Sequence, residues 1–566
     1  TCDWSSDVCS SDLIAKEMVL AQKKVFLSAC SVTLLQSALL LCIPLLYQKL
    51  IDNVLPQKDV KIFLKIIFLV LLMYTINSCL NILKDYLLAK FAENIARDLR
   101  QKLNDRISIL QYDFFDKNDT ANLIAKYSKD IDSIKENFGY MMIKVFGNIV
   151  SLLSASIMLL LLDVRVLIAT LLIMILYIIS NKVLGMKVKK AAQTMLQCNE
   201  ESIDAFSENC NNILLTKLYN AYDLVSTKFK QTYKKQYNSQ IKLEILYSCN
   251  LNVSCLLIYF LAIIIWLIGG FGIIHGSMSI GLVMAMINYQ TMLLSPLNFL
   301  CEFNNSYQAT VSALGRVESI FSYRKESINS ISSEKCENIY NIAFNNVVFG
   351  YGREKVLNGD NLKFTRGNIY GVLGSSGSGK STIAKLILKL YEPESGEITI
   401  NDSDIHKLDT LDIRKKVILI AQESQFYKGT IKNNITFWNS ECDWNNVLML
   451  SSEFELDKEI ERMPEKWDTL LNSGANNISG GQKKRLDIIR GIVKDTDVII
   501  FDESTAYLDI EKRKALFKVV NMIKKDKIII FITHNLEEVS NYNVIYAFEK
   551  GKIKKIESKY VQEIYK

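Results

Sequence analysis

The chain has 566 residues, 49% of them hydrophobic, with a formal net charge of +7 and twelve scattered cysteines. So apolar a chain is unusual for a soluble protein of several domains; no cysteine pair has CxxC or other metal-ligand spacing, and the cysteines in apolar runs read as small hydrophobes, so no disulfide framework is inferred. The excess Lys and Arg flank apolar runs, the pattern of a membrane protein and not of a nucleic-acid partner.

Residues 1–13, TCDWSSDVCSSDL, are rich in Ser, Asp and Cys and unlike anything after them. They read as a non-native tail and are set aside, which leaves open what precedes residue 14 in the natural chain. No cleavable signal peptide is visible. Residues 14–302 are expected to form an all-α transmembrane domain with six spans: Val25–Leu46, Ile62–Leu83, Met141–Leu162, Val164–Leu184, Leu246–Gly269 and Ile280–Cys301. Each reaches the roughly 20 residues that a span requires. Buried core helices of a soluble protein are the competing reading, but such length and all-round apolarity are uncommon there.

Lys and Arg crowd the segments 84–140 and 185–245, whereas the Gly270–Ser279 loop has neither. The positive-inside rule puts both basic segments and both chain ends in the cytoplasm. Their helical periodicity predicts that the spans continue as helices below the membrane. Gln36, Asn77, Asn81, Asn148, Asn252, Asn288 and Gln290 are polar positions within the spans; they bond helix to helix more often than they line a path. No clear mid-membrane charge is read. Pro44 is expected to kink the first span.

Residues 303–338 form a polar helix and linker, and from 339 to 566 short apolar strands alternate with helical runs. That alternation predicts an α/β domain around a parallel sheet buried on both faces. At its start, GSSGSGKST fits the P-loop spacing, with the strand IYGVL before it and a helix after it. Gly374, Ser375, Ser376, Gly377, Ser378, Gly379, Lys380, Ser381 and Thr382 would cradle phosphates through backbone N–H groups and the helix N-terminus. Lys380 can reach the β/γ-phosphates, and Ser381 can hold Mg²⁺. VIIFDE ends a buried strand on two carboxylates, Asp502 for Mg²⁺ and Glu503 for the proton of an attacking water. Gln422, His534 and Asp509 each admit a bland reading: a surface amide, a structural histidine, a helix N-cap. Their order after one P-loop, at strand ends, raises the functional one. ISGGQ at 478–482, followed by the basic run KKR, reads by itself as a glycine-rich helix N-cap.

ISGGQ resembles the LSGGQ signature of ATP-binding cassette (ABC) proteins, and the other motifs then take that family's places. The resemblance implies a Q-loop at Gln422, which also touches the metal, a signature at Ser479, Gly480, Gly481 and Gln482, a D-loop at Asp509, a switch at His534 and an adenine-stacking aromatic at Tyr351. Six spans ahead of one cassette resemble an exporter-type half-transporter from about residue 14 onward. It implies ATP and Mg²⁺ as cofactors, and an α/β P-loop ATPase domain with a helical subdomain. Two cassettes would pair head to tail, each signature closing on the other's ATP, so the partner is a second half-transporter, identical or not. Membrane lipid, an exported amphipathic substrate (peptide, lipid or drug-like molecule) and a bacterial plasma membrane are the further expectations. A sensor or regulated channel on the same scaffold is the alternative. Ile478 replaces the usual Leu, and LLNSGANN lacks the Glu and Arg that exporters usually carry before the signature.

Overall fold

The computed structural model describes residues 17–326, 334–352, 354–375, 377–549 and 552–556. The expected tail 1–13 and Ser376 of the P-loop lie outside these residues. The chain divides into two compact units, one of residues 1–108 and 120–322, the other of residues 109–119 and 323–566.

The first unit is helical. Its long elements are α1 (Lys23–Lys49), α2 (Val60–Ile107), α3 (Tyr140–Leu162), α4 (Val164–Asn211), α5 (Tyr222–Ile274), α6 (Ile280–Met292) and α7 (Leu294–Phe321). Among the described residues, five helices are long and apolar enough to cross a membrane, and they contain the first five predicted spans. With 48, 48 and 53 residues, α2, α4 and α5 are about 70–80 Å long at 1.5 Å per residue. A hydrocarbon core of roughly 30 Å takes up less than half of that, so the periodicity of the basic segments is that of continuing helix. Pro44 lies inside α1, which is helical on both sides of it.

The sixth predicted span, Ile280–Cys301, is not one helix. It breaks at Leu293, between α6 and α7. Pro296 has no N–H to donate to the Met292 carbonyl, and that carbonyl accepts the Ser151 hydroxyl of α3 instead, at 3.2 Å. At the start of α6, Asp52 receives the Ser279 hydroxyl at 2.5 Å and the Gly281 N–H at 2.8 Å. A buried apolar cluster forms where α3, α4, α5 and α6 meet, around Ala155, Val166, Ile265, Val283 and Tyr289. Leu161, Leu172, Ile175, Phe260 and Phe271 are exposed, which suits lipid, a solvent as apolar as leucine.

The second unit carries two main sheets. Five parallel strands and one antiparallel edge strand run in the order Lys552–Ile556, Val544–Glu549, Ile369–Leu373, Ile528–Thr533, Val498–Asp502, Val417–Ile420. The predicted parallel sheet is therefore mixed at one edge. Period-two alternation splits its side chains between two cores. Leu373, Ile499, Phe501 and Phe531 face one; Val372, Ile500, Ile530 and Ile532 face the other. A separate antiparallel sheet, Glu354–Thr365, Asn341–Tyr351, Ser395–Ile400 and Ser403–Asp404, was not foreseen.

This unit also includes the segment 109–119, which in sequence lies between two spans. Its short helix Asp113–Lys117 buries Phe114 edge-on against Tyr323, with centroids 4.9 Å apart. Glu326 donates its N–H to Ile109 O and takes both terminal nitrogens of Arg414, at 2.7 and 2.8 Å. Asp113 accepts from the Tyr323 hydroxyl at 2.7 Å and from Lys117 at 2.9 Å. Burial works to raise the Asp113 pKa, but the bonds from Lys117 and Tyr323 outweigh it and hold the carboxyl below its ordinary value. A folded-state pKa below the unfolded one stabilises above the ordinary carboxylate range and is lost as pH falls through the depressed value. Hydrogen-exchange protection of 109–119 is therefore expected to hold from neutral pH to about pH 4 and to fall below it. Asp113→Asn is expected to lower that protection already at neutral pH.

Candidate active site

The strand Ile369–Leu373 is wholly buried and delivers the chain to the loop 374–379 and the helix Lys380–Ile387. Gly377 and Gly379 have φ of 76° and 94°. A Cβ on Gly379 would lie 1.9 Å from Val356 Cγ1, so glycine is required there both by its backbone and by its neighbour. A left-handed non-glycine residue costs roughly 1–3 kcal/mol before any clash. Gly379→Ala is thus expected to weaken ATP binding at least about ten-fold, as read by titration with a fluorescent ATP analogue. Lys380 is buried, and its ammonium donates to Gly374 O at 2.9 Å and Ser375 O at 2.7 Å. Burial lowers its pKa, against the nearby Glu503 and Asp502.

Three parallel strands end beside this loop, and their ends carry the other groups. Asp502 is buried at the end of Val498–Asp502. Burial raises its pKa, Ser381 opposes that with a hydrogen bond, and Glu503 adds to the rise. The Asp502 Oδ1 atom is buried without a hydrogen-bond partner. A buried carboxylate with an unpartnered oxygen, bonded to a P-loop serine, is a hard-oxygen donor set that fits a divalent cation such as Mg²⁺. Among the described residues no cluster of three or more His, Cys, Asp or Glu could hold a metal.

Glu503 follows in the left-handed region, φ 44°, and its N–H donates to Ile532 O at 2.8 Å. Its carboxylate is held from two sides. Gln422 Nε2 donates to Oε2 at 2.8 Å, and His534 Nδ1 lies 3.2 Å from Oε1. Residues 81 and 31 positions away thus converge on one carboxylate. Tyr351 stands beside the P-loop helix, where its hydroxyl accepts from Thr382 Oγ1 at 3.3 Å.

The signature does not join this group. Ser479 caps the helix Gly480–Val493 in a reciprocal box with Gln482, at 2.9 and 3.2 Å. Gln482 goes on to Glu459. None of these bonds reaches residues 374–382, Ser479 and Gly480 are exposed, and a Cβ on Gly480 would meet nothing within 4 Å. Asp509 caps the helix Ile510–Ile523 by accepting the Lys512 N–H at 2.8 Å, which holds its carboxyl below the ordinary range.

Sequence reading passed over three residues here. Lys484, inside the basic run KKR, is 1% exposed and donates to Ala421 O and Gln422 O, at 2.5 and 3.2 Å. It ties the signature helix to the loop that carries Gln422. The run was given no role of its own, and Lys484, two residues after Gln482, is buried. Tyr391 donates its hydroxyl to Asp116 and sits edge-on to Tyr351 and Tyr112. Lys385 lies 5.4–5.5 Å from the centroids of all three rings and 3.8 Å from Asp116. Nothing local in the sequence marks that box, because it forms between segments nearly 280 residues apart.

The family described as ABC transporter transmembrane region matches residues 26–297, and that described as ABC transporter matches residues 357–506. An "ABC transporter B family member 1" of Dictyostelium discoideum is 25% identical over 491 residues. The match takes in 85% of this chain and 54% of that relative, so the chain spans about half of its length. An "ATP-dependent lipid A-core flippase" of Desulfotalea psychrophila is 24% identical over 90% of this chain and 89% of its own. The fold is similar to that of a bacterial Atm1-family ABC exporter solved with ATP bound, with a TM-score of 0.82, 20% identity and 96% of both chains covered. With a membrane region and an ATP-hydrolysing cassette in one polypeptide, the chain belongs to the ABC transporters, as a half-transporter of the exporter type.

Proposed function

We propose that this half-transporter pairs with a second one and uses ATP to export an amphipathic substrate across a bacterial plasma membrane. The observation that supports the chemistry is the Glu503 carboxylate, fixed by Gln422 and His534 beside the P-loop. In this reading Tyr351 stacks on adenine, and residues 374–382 hold the phosphates, with the Lys380 ammonium passing from loop carbonyls to phosphate oxygens. Ser381, Gln422 and Asp502 would hold Mg²⁺, which when bound would neutralise phosphate charge. Glu503 accepts the proton of the attacking water, and His534 aligns the γ-phosphate.

The open face of Ser479, Gly480 and Gly481 closes on the ATP of the partner, and Asp509 stands at the same junction. Pairing is supported by the exposure of that signature and by a second uncovered feature. The helix Ile213–Leu218, at the tip between α4 and α5, presents Leu214, Leu215, Leu218 and the adjacent Tyr219 to solvent. An apolar tip of this kind suits a groove on the other copy's cassette.

An amphipathic cargo fits the flippase relative and the lipid-facing surface. The test is reconstitution into sealed vesicles, with ATP turnover and substrate accumulation followed together. Accumulation that tracks hydrolysis supports export. Hydrolysis that responds to ligand without any accumulation would sink the pump and leave a sensor.

A further inference from the structure

The helical unit holds a cavity of about 760 Å³ walled by α1, α2, α3, α6 and α7. Its wall mixes polar groups, such as Thr33, Gln36, Asn148 and Ser151, with the apolar Leu40, Leu41, Ile143 and Phe299. Two charged residues line it, Lys84 and Lys144, and no carboxylate does.

Lys84 is built in. Its ammonium donates to Gln36 Oε1 at 3.2 Å and Asn81 Oδ1 at 3.0 Å, and the buried Gln36 braces the pair by donating to Asn81 at 2.6 Å. These partners are neutral, so they orient the ammonium and leave its charge in place. They also use two of its three donors. Lys144 lies one turn inside α3. Among the described residues neither lysine stands within ion-pair distance of an Asp or Glu. Lysines at the cytoplasmic ends of spans ordinarily snorkel to the interface; these two share the wall of one cavity that no carboxylate lines.

Position adds a polarity to the site. Lys84 ends the second apolar stretch and Lys144 begins the third, so both stand at the end of the spans that the positive-inside rule assigns to the cytoplasm. Leu40 and Leu41 come later in α1, towards the opposite end. Positive charge at headgroup depth with apolar wall beyond it is complementary to an amphiphile of the cytoplasmic leaflet whose head is an anion. Lysine is a point-charge ligand for phosphate and carboxylate oxygens. Two uncompensated lysines repel a cationic head and give a neutral one nothing charged to bind.

We propose that this cavity is the cargo site, that its ligand is an anionic lipid-like amphiphile, and that Lys84 and Lys144 receive its headgroup. The proposal rests on the export reading and deepens it by naming the substrate class.

The test uses the full chain in phosphatidylcholine nanodiscs doped with phosphatidic acid, with a fatty acid, or with a cationic lipid of matched chains. Two quantities are read: stimulation of ATP turnover, and labelling by photoactivatable phosphatidic acid without nucleotide. Both anionic lipids are expected to stimulate and to compete with the label, and the cationic lipid to do neither. A larger effect of phosphatidic acid would assign a phosphate head, and a larger effect of the fatty acid a carboxylate. The double variant Lys84→Gln, Lys144→Gln is expected to lose the preference at least about ten-fold. Lys84→Arg with Lys144→Arg should keep it. Lys144→Gln alone, at an exposed position, should weaken it even if the double variant does not fold. Equal labelling and stimulation by lipids of either charge, or an unchanged preference in folded glutamine variants, overturns the proposal. Labelling is read without ATP, so a protein that does not hydrolyse or transport still decides this site, and that failure falls on the export reading.

Discussion

Glu503→Gln is expected to slow ATP hydrolysis by roughly 10²- to 10⁴-fold while ATP binding persists. The substitution keeps the size of the side chain and one of the two acceptor oxygens now met by Gln422 and His534, while the other becomes an NH2 group. What disappears is the basic carboxylate. The φ of 44° at this residue is set by the backbone and is shared by the variant, so a fold change is not the expected outcome. Steady-state phosphate release and nucleotide binding, measured on the same preparation, separate the two quantities. Normal turnover by the variant would remove Glu503 from the role of base.

The second large effect concerns which chain completes the site. Lys380→Ala removes the cation of the phosphate loop. Gly480→Asp sets a carboxylate at the N-terminus of the signature helix, where a γ-phosphate would have to approach, and it does so where a Cβ meets nothing within 4 Å. Each variant alone is expected to lose at least about 100-fold in turnover, the scale seen when one stabilising group at a reacting centre is removed. Mixed together, they behave differently if the sites are shared. A dimer of one Lys380→Ala chain and one Gly480→Asp chain has one site with both defects and one with neither. Vanadate trapping is expected to hold nucleotide in the mixture and in neither pure variant. If mixing restores nothing, while the two chains are shown by a tag to pair, then each signature acts on its own chain's nucleotide or on none.

The motifs were legible because their chemistry is local. The P-loop needs glycines at two positive-φ positions and a strand and helix on either side, and all of these are contiguous in sequence. Glu503 and His534 were legible because each follows an apolar strand, and parallel neighbours put their ends side by side. Hydropathy did not show the break in the last span, since Met292, Leu293 and Leu294 are all apolar across it. Pro296 was the available signal, four residues after the carbonyl it fails to serve. Lys144 was missed because one lysine among some twenty apolar residues barely shifts a window average. Only the fold shows that it shares a cavity with Lys84. The aromatic box around Lys385 depends on residues far apart in the chain, and no local pattern encodes it.

The grouping of segment 109–119 with the ATPase unit bears on how that unit can be studied. A fragment begun at residue 339 would lack Glu326, leaving Arg414 without its two carboxylate bonds. It would also lack Asp116, the acceptor of the Tyr391 hydroxyl, and would bare one flank of the Lys385 box to water. Excised this way, the cassette is a truncated object whose face around Tyr351, Lys385 and Tyr391 has been stripped, and its solubility and basal turnover would misrepresent the intact chain. A faithful soluble surrogate has to supply the missing strand of sequence, by fusion or as an added peptide.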